Sequence, residues 1–360
     1  MKPLRIVIAG GGTGGHLYPG IAVARELRRR LPEVIVTFAG TDRGIERTVV
    51  PREGFELDVL RSAGLKGMSI GSFIRGLSLL PLSGLDAWRI VSRRQPQLVI
   101  GVGGYSSGPV VLVAAIRRIP TMVLEQNAVP GFTNRALAPL VSGAAVTFEA
   151  TRAYFGRRGF VTGNPVRPEF FDPTPAAIGG PPRILIFGGS QGAHAINMAM
   201  VAAAPRLAAH RGGLAITHQT GERDLERVRS GYRDAGVEAR VEPFLFAMDR
   251  EMKSADLVIC RAGATTLAEL TAAGRPSILV PLPTAADDHQ RKNAEVLARA
   301  GAAELLEQSQ MTGEQLADRI TALAADLPRR QQMSKAALAL ARPGAAAAIV
   351  DKALDLLEAR

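Results

Sequence analysis

Four glycine-rich runs could carry chemistry: Gly10-Gly11-Gly12-Thr13-Gly14-Gly15, Gly101-Val102-Gly103-Gly104-Tyr105, Gly188-Gly189-Ser190-Gln191-Gly192-Ala193 and Arg261-Ala262-Gly263-Ala264-Thr265-Thr266. Glycine lets the backbone approach a phosphate or sugar closely, and the start of a following helix favours negative charge. The first run satisfies G-x-G-x-x-G at Gly10, Gly12 and Gly15. That spacing alone is weak. A dinucleotide fold would also need an acid about 20 residues further on, at the end of the second strand. Asp42 is the nearest candidate. The competing reading of any one run is a tight turn without a ligand.

In the fourth run, amides at Ala264, Thr265 and Thr266 are placed to open a helix and point at a diphosphate, with Glu269 about one turn further in. A carboxylate there opposes anion binding by charge, so its use is hydrogen bonding, for instance to ribose hydroxyls. The plain alternative is a solvated helix glutamate. His16 follows the first run directly. A histidine there is suited to take a proton from a sugar hydroxyl near neutral pH, or only to hydrogen-bond backbone. The histidines at 16, 194, 210, 218 and 289 form no pair at helical metal-ligand spacing, and Asp-x-Asp does not occur. No catalytic metal is expected. Helix starts and backbone amides are then expected to hold a departing diphosphate.

These residues need a frame. Short apolar runs at 4–9, 34–39, 98–102, 121–124 and 144–148, then 183–187, 214–219, 256–259 and 277–280, alternate with longer helical patterns. Continuous apolar runs mark strands covered on both faces, and the alternation implies parallel sheets with crossover helices. The chain has 360 residues, which suggests two domains at roughly 150 residues each. Its halves echo each other: each opens with a strand, a glycine turn and a helix start. Pro165, Pro168, Pro173, Pro175, Pro181 and Pro182 mark a linker between them. Expected domains are 1–163 plus 343–360, and 164–342. Four strand–glycine turns divided between two halves suggest two sheets facing a cleft, since ligands of such sheets collect at the carboxyl ends of the strands.

Composition narrows the partners. A net charge of +11 favours an anionic one, be it nucleic acid, an acidic membrane surface or a phosphorylated substrate. The single cysteine, Cys260, permits no intrachain disulfide. No secretory signal is recognisable at the start. Residues 98–116 lack charge, but Gly101 to Pro109 read as a loop between a strand and a helix, not as a membrane span. Residues 61–94 carry six basic residues against one acid, Asp86, among Leu79, Trp88 and other apolar side chains. That mixture suits an anionic lipid surface, with Arg75, Leu79, Trp88, Arg89 and Arg93 facing it. Some of the apolar residues must be core.

Together the motifs resemble the MurG family of peptidoglycan-synthesis glycosyltransferases. They are Gly-Gly-Thr-Gly-Gly-His (11–16), Gly-Val-Gly-Gly-Tyr (101–105), Glu-Gln-Asn (125–127), Gly-Asn-Pro-Val-Arg (163–167), Gly-Gly-Ser-Gln-Gly-Ala (188–193) and 261–269, in order along nearly the whole chain. The resemblance implies an α/β fold of GT-B architecture, with two Rossmann-like domains and a last helix that returns to the first. It implies inverting transfer of N-acetylglucosamine from UDP-N-acetylglucosamine to lipid I, giving lipid II, with no cofactor. Leu245 would meet the uracil and Glu269 the ribose. Ser190, Arg167 and the Ala264, Thr265 and Thr266 amides, continuing into Leu267 and Ala268, would hold the diphosphate. Gln290 would read sugar hydroxyls. Thr13, Gly14, Gly15 and Asn127 would close on donor sugar and acceptor, with His16 as base. A peripheral position on the cytoplasmic face of the inner membrane is implied, beside cell-wall synthesis and division proteins.

Two positions depart from the family pattern. Leu124 stands where some members have histidine, and Asp288-His289-Gln290 differs from a Gln-Gln pair. The first weakens the case for that other histidine as base, and the second favours Gln290 over position 289. A UDP-N-acetylglucosamine 2-epimerase would share donor and fold but need no lipid surface. A nucleic-acid binder would want basic helices or aromatic platforms, whereas aromatics are 5% here and the basic cluster is interleaved with aliphatics.

Overall fold

A computed structural model describes residues 3–42, 44–61, 70–171, 179–189, 191–210 and 212–358, with backbone only for 70–80. The chain forms two compact units, Met1–Val166 with Arg342–Arg360, and Arg167–Ala341.

The first unit runs β1 (Arg5–Gly10), α1 (Gly14–Arg30), β2 (Ile35–Gly40), α2 (Glu46–Arg52), β3 (Glu56–Val59), α3 (Ile70–Arg94), β4 (Leu98–Gly103), α4 (Ser107–Ile116), β5 (Thr121–Glu125), α5 (Phe132–Leu137), β6 (Gly143–Val146), α6 (Glu149–Arg152) and β7 (Gly159–Val161). Its strand order is β3-β2-β1-β4-β5-β6-β7, and every pairing is parallel. Side chains alternate across the sheet. Ile6, Ile8, Leu98 and Ile100 enter one core with Leu17 and Leu27 of α1. Val7, Ala9 and Val99 enter the other with Ile90 and Val91 of α3. The two cores explain why these strands read as unbroken apolar runs.

The second unit runs β8 (Arg183–Phe187), α7 (His194–Ala208), β9 (Ala215–Gln219), α8 (Leu225–Asp234), β10 (Ala239–Glu242), α9 (Met248–Ser254), β11 (Leu257–Cys260), α10 (Ala264–Ala272), β12 (Ser277–Leu279), α11 (His289–Arg299), β13 (Ala303–Leu305), α12 (Gly313–Ala325) and α13 (Leu327–Leu340). Its order is β10-β9-β8-β11-β12-β13, again parallel throughout. Thr312 caps α12, its hydroxyl accepting from the Gln315 N–H at 3.1 Å. Pro343 and Gly344 precede α14 (Ala345–Glu358), which returns to the first unit. There Ile349, Val350 and Ala353 join the core beneath α1.

Both sheets are Rossmann-like, with the order reversing between β1 and β4 and between β8 and β11. All four glycine runs follow these four strands, at the switch points where such sheets take ligands. The uncharged stretch 98–116 resolves into β4, a turn and α4. Among the described residues no helix is long and apolar enough to cross a membrane.

Candidate active site

In the first unit the glycine turns after β1 and β4 lie against each other. Gly103 and Gly104 have φ of +97° and +80°; a methyl on Gly104 would stand 2.6 Å from the Gly11 carbonyl oxygen, and one on Gly103 2.7 Å from His16 Nδ1. Only glycine fits at either position. Thr13 precedes α1, its carbonyl accepting from His16 and Leu17 N–H, while its exposed side chain makes no cap. No acid occupies the first turn of α1.

Gln126 orients His16. Its Nε2 donates to the Val102 carbonyl at 3.1 Å, and a carbonyl can only accept. Oε1 therefore faces His16 Nδ1, at 3.3 Å. The neutral imidazole then carries its proton on Nδ1, and Nε2 is the basic nitrogen. Next in sequence, Asn127 is fixed by Glu125, whose Oε1 accepts from the Asn127 N–H at 3.0 Å and Nδ2 at 3.2 Å. The buried Glu125 also accepts from Gly131 N–H and Asn134 Nδ2. Glu46 of α2 reaches the first glycine run, where it accepts from the Gly12 N–H at 2.8 Å. Asp42, the nearest acid in sequence terms, is not the group bonded to that amide.

In the second unit Gln219, at the end of β9, joins two loops. Its Nε2 donates to the Gly189 carbonyl and its Oε1 accepts from the Leu245 N–H, both at 2.9 Å. Leu245 is buried between half-exposed Phe244 and outward-facing Phe246, whose rings meet edge-on at 5.0 Å. The turn after β11 leads into α10, which has neither a side-chain cap nor an acid in its first turn. Amides at Ala264, Thr265 and Thr266 thus begin a helix suited to an anion. Leu267 turns into the core and its N–H donates to the Gly263 carbonyl at 3.0 Å. Ala268 is partly buried on the same helix.

Glu269, one turn into α10, is only partly exposed. Burial pushes its carboxyl up to about 7, opposed by the charge of Arg167 and reinforced by Asp249. Gln290 of α11 accepts at Oε1 from Leu282 N–H at 3.0 Å and Ala262 N–H at 3.3 Å, which turns its amide NH2 the other way. Asp287 and Asp288, just before α11, both adopt left-handed φ, +54° and +56°. Such strained backbone gathers at functional loops. Ser190 lies outside the described residues.

Of the segment 61–94, expected to meet a lipid surface, residues 62–69 lie outside the described residues and 70–94 form α3. Leu82, Leu85 and Trp88 are exposed along it at helical spacing, while Ala87, Ile90 and Val91 turn inward. Leu112 and Ile116 of α4, which packs against α3, are also exposed. The Arg117 guanidinium lies 5.1 Å from the Trp88 ring centroid. Arg89 is exposed and pairs with Asp86 at 3.8 Å, while the equally exposed Arg93 and the more covered Arg94 are bound to the buried Asp58. Arg75 and Leu79 fall on α3, and their side chains lie outside the described residues.

The N-terminal domain of glycosyltransferase family 28 matches residues 6–146, and its C-terminal domain matches 183–349. A curated relative from Anaeromyxobacter sp. (strain Fw109-5) is 49% identical over 99% of this chain and 94% of its own length. It is named UDP-N-acetylglucosamine--N-acetylmuramyl-(pentapeptide) pyrophosphoryl-undecaprenol N-acetylglucosamine transferase. The crystal structure of Acinetobacter baumannii MurG superposes with a TM-score of 0.82 at 32% identity, covering 98% of this chain and all of that one.

This chain belongs to the MurG family.

Of the residues expected to form the site, Thr13, Gly14, Gly15 and His16 follow β1 and Asn127 follows β5, all in the first unit. Arg167, Leu245, Glu269, Gln290 and the start of α10 lie in the second. UDP-N-acetylglucosamine 2-epimerase from Neisseria meningitidis superposes with a TM-score of 0.69 at 14% identity, over 98% of this chain and all of that one. That likeness is one of fold. Glu46 and Gln219 belong to no local motif, because the loops they tie lie 26 to 34 residues away. Glu125 and Gln126 fall in the Glu-Gln-Asn motif, and the structure adds their bracing contacts to Asn127 and His16.

Proposed function

We propose that this chain transfers N-acetylglucosamine from UDP-N-acetylglucosamine to the muramyl 4-hydroxyl of undecaprenyl-diphosphate-linked MurNAc-pentapeptide, converting lipid I to lipid II. The full-length 49% identity to a curated transferase of that name carries this reading. The placement of all four glycine runs at the two switch points supports it.

The second unit takes the donor. The Leu245 N–H is spent on Gln219, so its carbonyl is the backbone group for the uracil. Glu269 accepts from ribose hydroxyls, and the Gln290 NH2 donates to a hydroxyl of the sugar. Diphosphate charge falls on the α10 amides of Ala264, Thr265 and Thr266, with Arg167 and Ser190, as preorganised dipoles and charge. Leu267 and Ala268 set the helix that aims those amides.

The first unit takes the acceptor, with Thr13, Gly14, Gly15 and Asn127 around its sugar. His16 Nε2 removes the proton of the 4-hydroxyl. The oxygen then attacks the anomeric carbon from the face opposite UDP, the bond to the β-phosphate oxygen breaks, and UDP leaves with the electron pair. One displacement turns an α-linked donor into a β-linked product.

The exposed strip of Leu85, Trp88, Leu112 and Ile116, edged by Arg89, Arg93 and Arg117, is the face we assign to the anionic lipid surface where lipid I resides. The sequence assigns Arg75 and Leu79 to the same face, and the position proposed for the chain is peripheral, at the cytoplasmic side of the inner membrane.

A donor and acceptor panel tests the reading. With UDP-N-acetylglucosamine and a short-chain lipid I analogue, disaccharide and UDP appear together. Donor alone yielding UDP-N-acetylmannosamine would replace the transferase with the epimerase.

A further inference from the structure

Glu46 opens α2, outside every glycine run, yet its carboxylate is completely buried beneath the first one. Oε2 accepts from the Gly12 N–H at 2.8 Å. Oε1 accepts from the Thr41 N–H at 2.9 Å and the Thr41 hydroxyl at 2.8 Å. That hydroxyl in turn accepts from the Gly44 N–H at 3.2 Å, so the turn after β2 is tied into the same knot. The surrounding chain is cut to fit this side chain. A methyl on Gly11 would stand 2.6 Å from its Cδ, and one on Gly40 2.8 Å from its Cγ, and Gly44 has no room for one. Three glycines from two loops therefore close around one carboxylate. The Gly12 amide, which a phosphate-binding turn would offer to its ligand, is spent on protein instead.

We propose that Glu46 is a positioning residue for acceptor chemistry, holding the Gly10–Gly15 turn, and with it Thr13 and His16, in the geometry that transfer needs. This role rests on the reading of the first unit as the acceptor side. Three donors converge on two carboxylate oxygens, which an amide cannot reproduce. Glutamine would turn an NH2 towards either Gly12 N–H or the Thr41 donors, and the glycine turn must move to relieve that clash. Gly40→Ala disturbs the same contact from the opposite side, at a position whose backbone accepts any residue.

The test compares full-length wild type, Glu46→Gln and Gly40→Ala. UDP-N-acetylglucosamine and a short-chain diphosphate-MurNAc-pentapeptide serve as substrates, below the Tm of each protein. Because displacement of a catalytic loop by about 1 Å costs on the order of 100-fold, kcat is expected to fall by about that factor in both variants. Donor KM and UDP affinity, which report on the second unit, are expected to stay unchanged. Wild-type kcat and acceptor KM in folded Glu46→Gln would overturn the role. So would a kcat loss matched by an equal loss of UDP affinity, which would mark Glu46 as structural only. If Glu46→Gln does not fold, Gly40→Ala carries the same two outcomes. A wild-type chain that transfers nothing contradicts the function itself. An active wild type with a normal Glu46→Gln contradicts only this role.

Discussion

Gln126 Oε1 lies 3.3 Å from His16 Nδ1, and its own amide is anchored on the Val102 carbonyl. The histidine is thus held in the tautomer whose Nε2 can accept a proton. His16→Ala is expected to lower kcat by about 10²–10⁴-fold, the range of a lost general base. Donor KM should stay close to wild type. Gln126→Leu, which removes only the orienting acceptor, should lower kcat by less. Steady-state kinetics with both substrates varied check this, and an unchanged kcat in His16→Ala removes it as base.

With Glu269 as the proposed acceptor for the ribose hydroxyls, donor binding is expected to depend on pH. With its carboxyl pushed up to about 7 by burial, the ionised form that accepts from ribose is lost as pH falls below 7. Donor KM should therefore rise from pH 8 to pH 6. Stability moves the other way. The folded state binds more protons than the unfolded state between the ordinary value of 4.5 and about 7, so stability falls as pH rises through that window. Glu269→Gln should abolish this slope and raise donor KM at every pH. Thermal unfolding against pH and donor KM against pH read the two effects separately.

Gln219 bonds the Gly189 carbonyl and the Leu245 N–H at once. Gln219→Ala leaves the buried Leu245 N–H without its partner, at about 1–3 kcal/mol, while the exposed Gly189 carbonyl can turn to water. UDP affinity should fall roughly tenfold or more, while acceptor KM stays unchanged. Calorimetric titration with UDP gives the value directly.

The membrane face is tested best away from Arg93 and Arg94, since both hold the buried Asp58 and their removal would disturb the fold. Neutralising Arg89 and Arg117 should weaken binding to anionic vesicles by about 2 kcal/mol, roughly 30-fold, at about 1 kcal/mol per basic residue near the surface. Turnover of a soluble acceptor should be spared. Vesicle flotation at two salt concentrations measures the effect, and undiminished binding would reassign the strip.

What the sequence made legible was whatever depends on local pattern. The apolar runs at 4–9 and 98–102 announced buried parallel strands because their residues feed a core on each face, and 183–187 did so because Ile184 to Phe187 are all buried. Short edge strands β3, β7, β10 and β13 escaped notice, since few residues give them period and tertiary pairing defines them. Glu46 and Gln219 escaped for a related reason. Glu46 reaches a partner 34 residues away, and Gln219 partners 30 and 26 away, so only folding brings them together. The contribution of α4 to the exposed apolar strip likewise depends on helix packing.

The most direct measurement follows the new bond. Donor labelled with carbon-13 at the anomeric position is mixed with a short-chain lipid I analogue, and the product is read by NMR. A β-1,4-linked disaccharide formed only with acceptor present, one equivalent per UDP released, is the expected result. Retention of the α configuration, or UDP released from donor without acceptor glycosylation, would contradict single-displacement transfer by this chain.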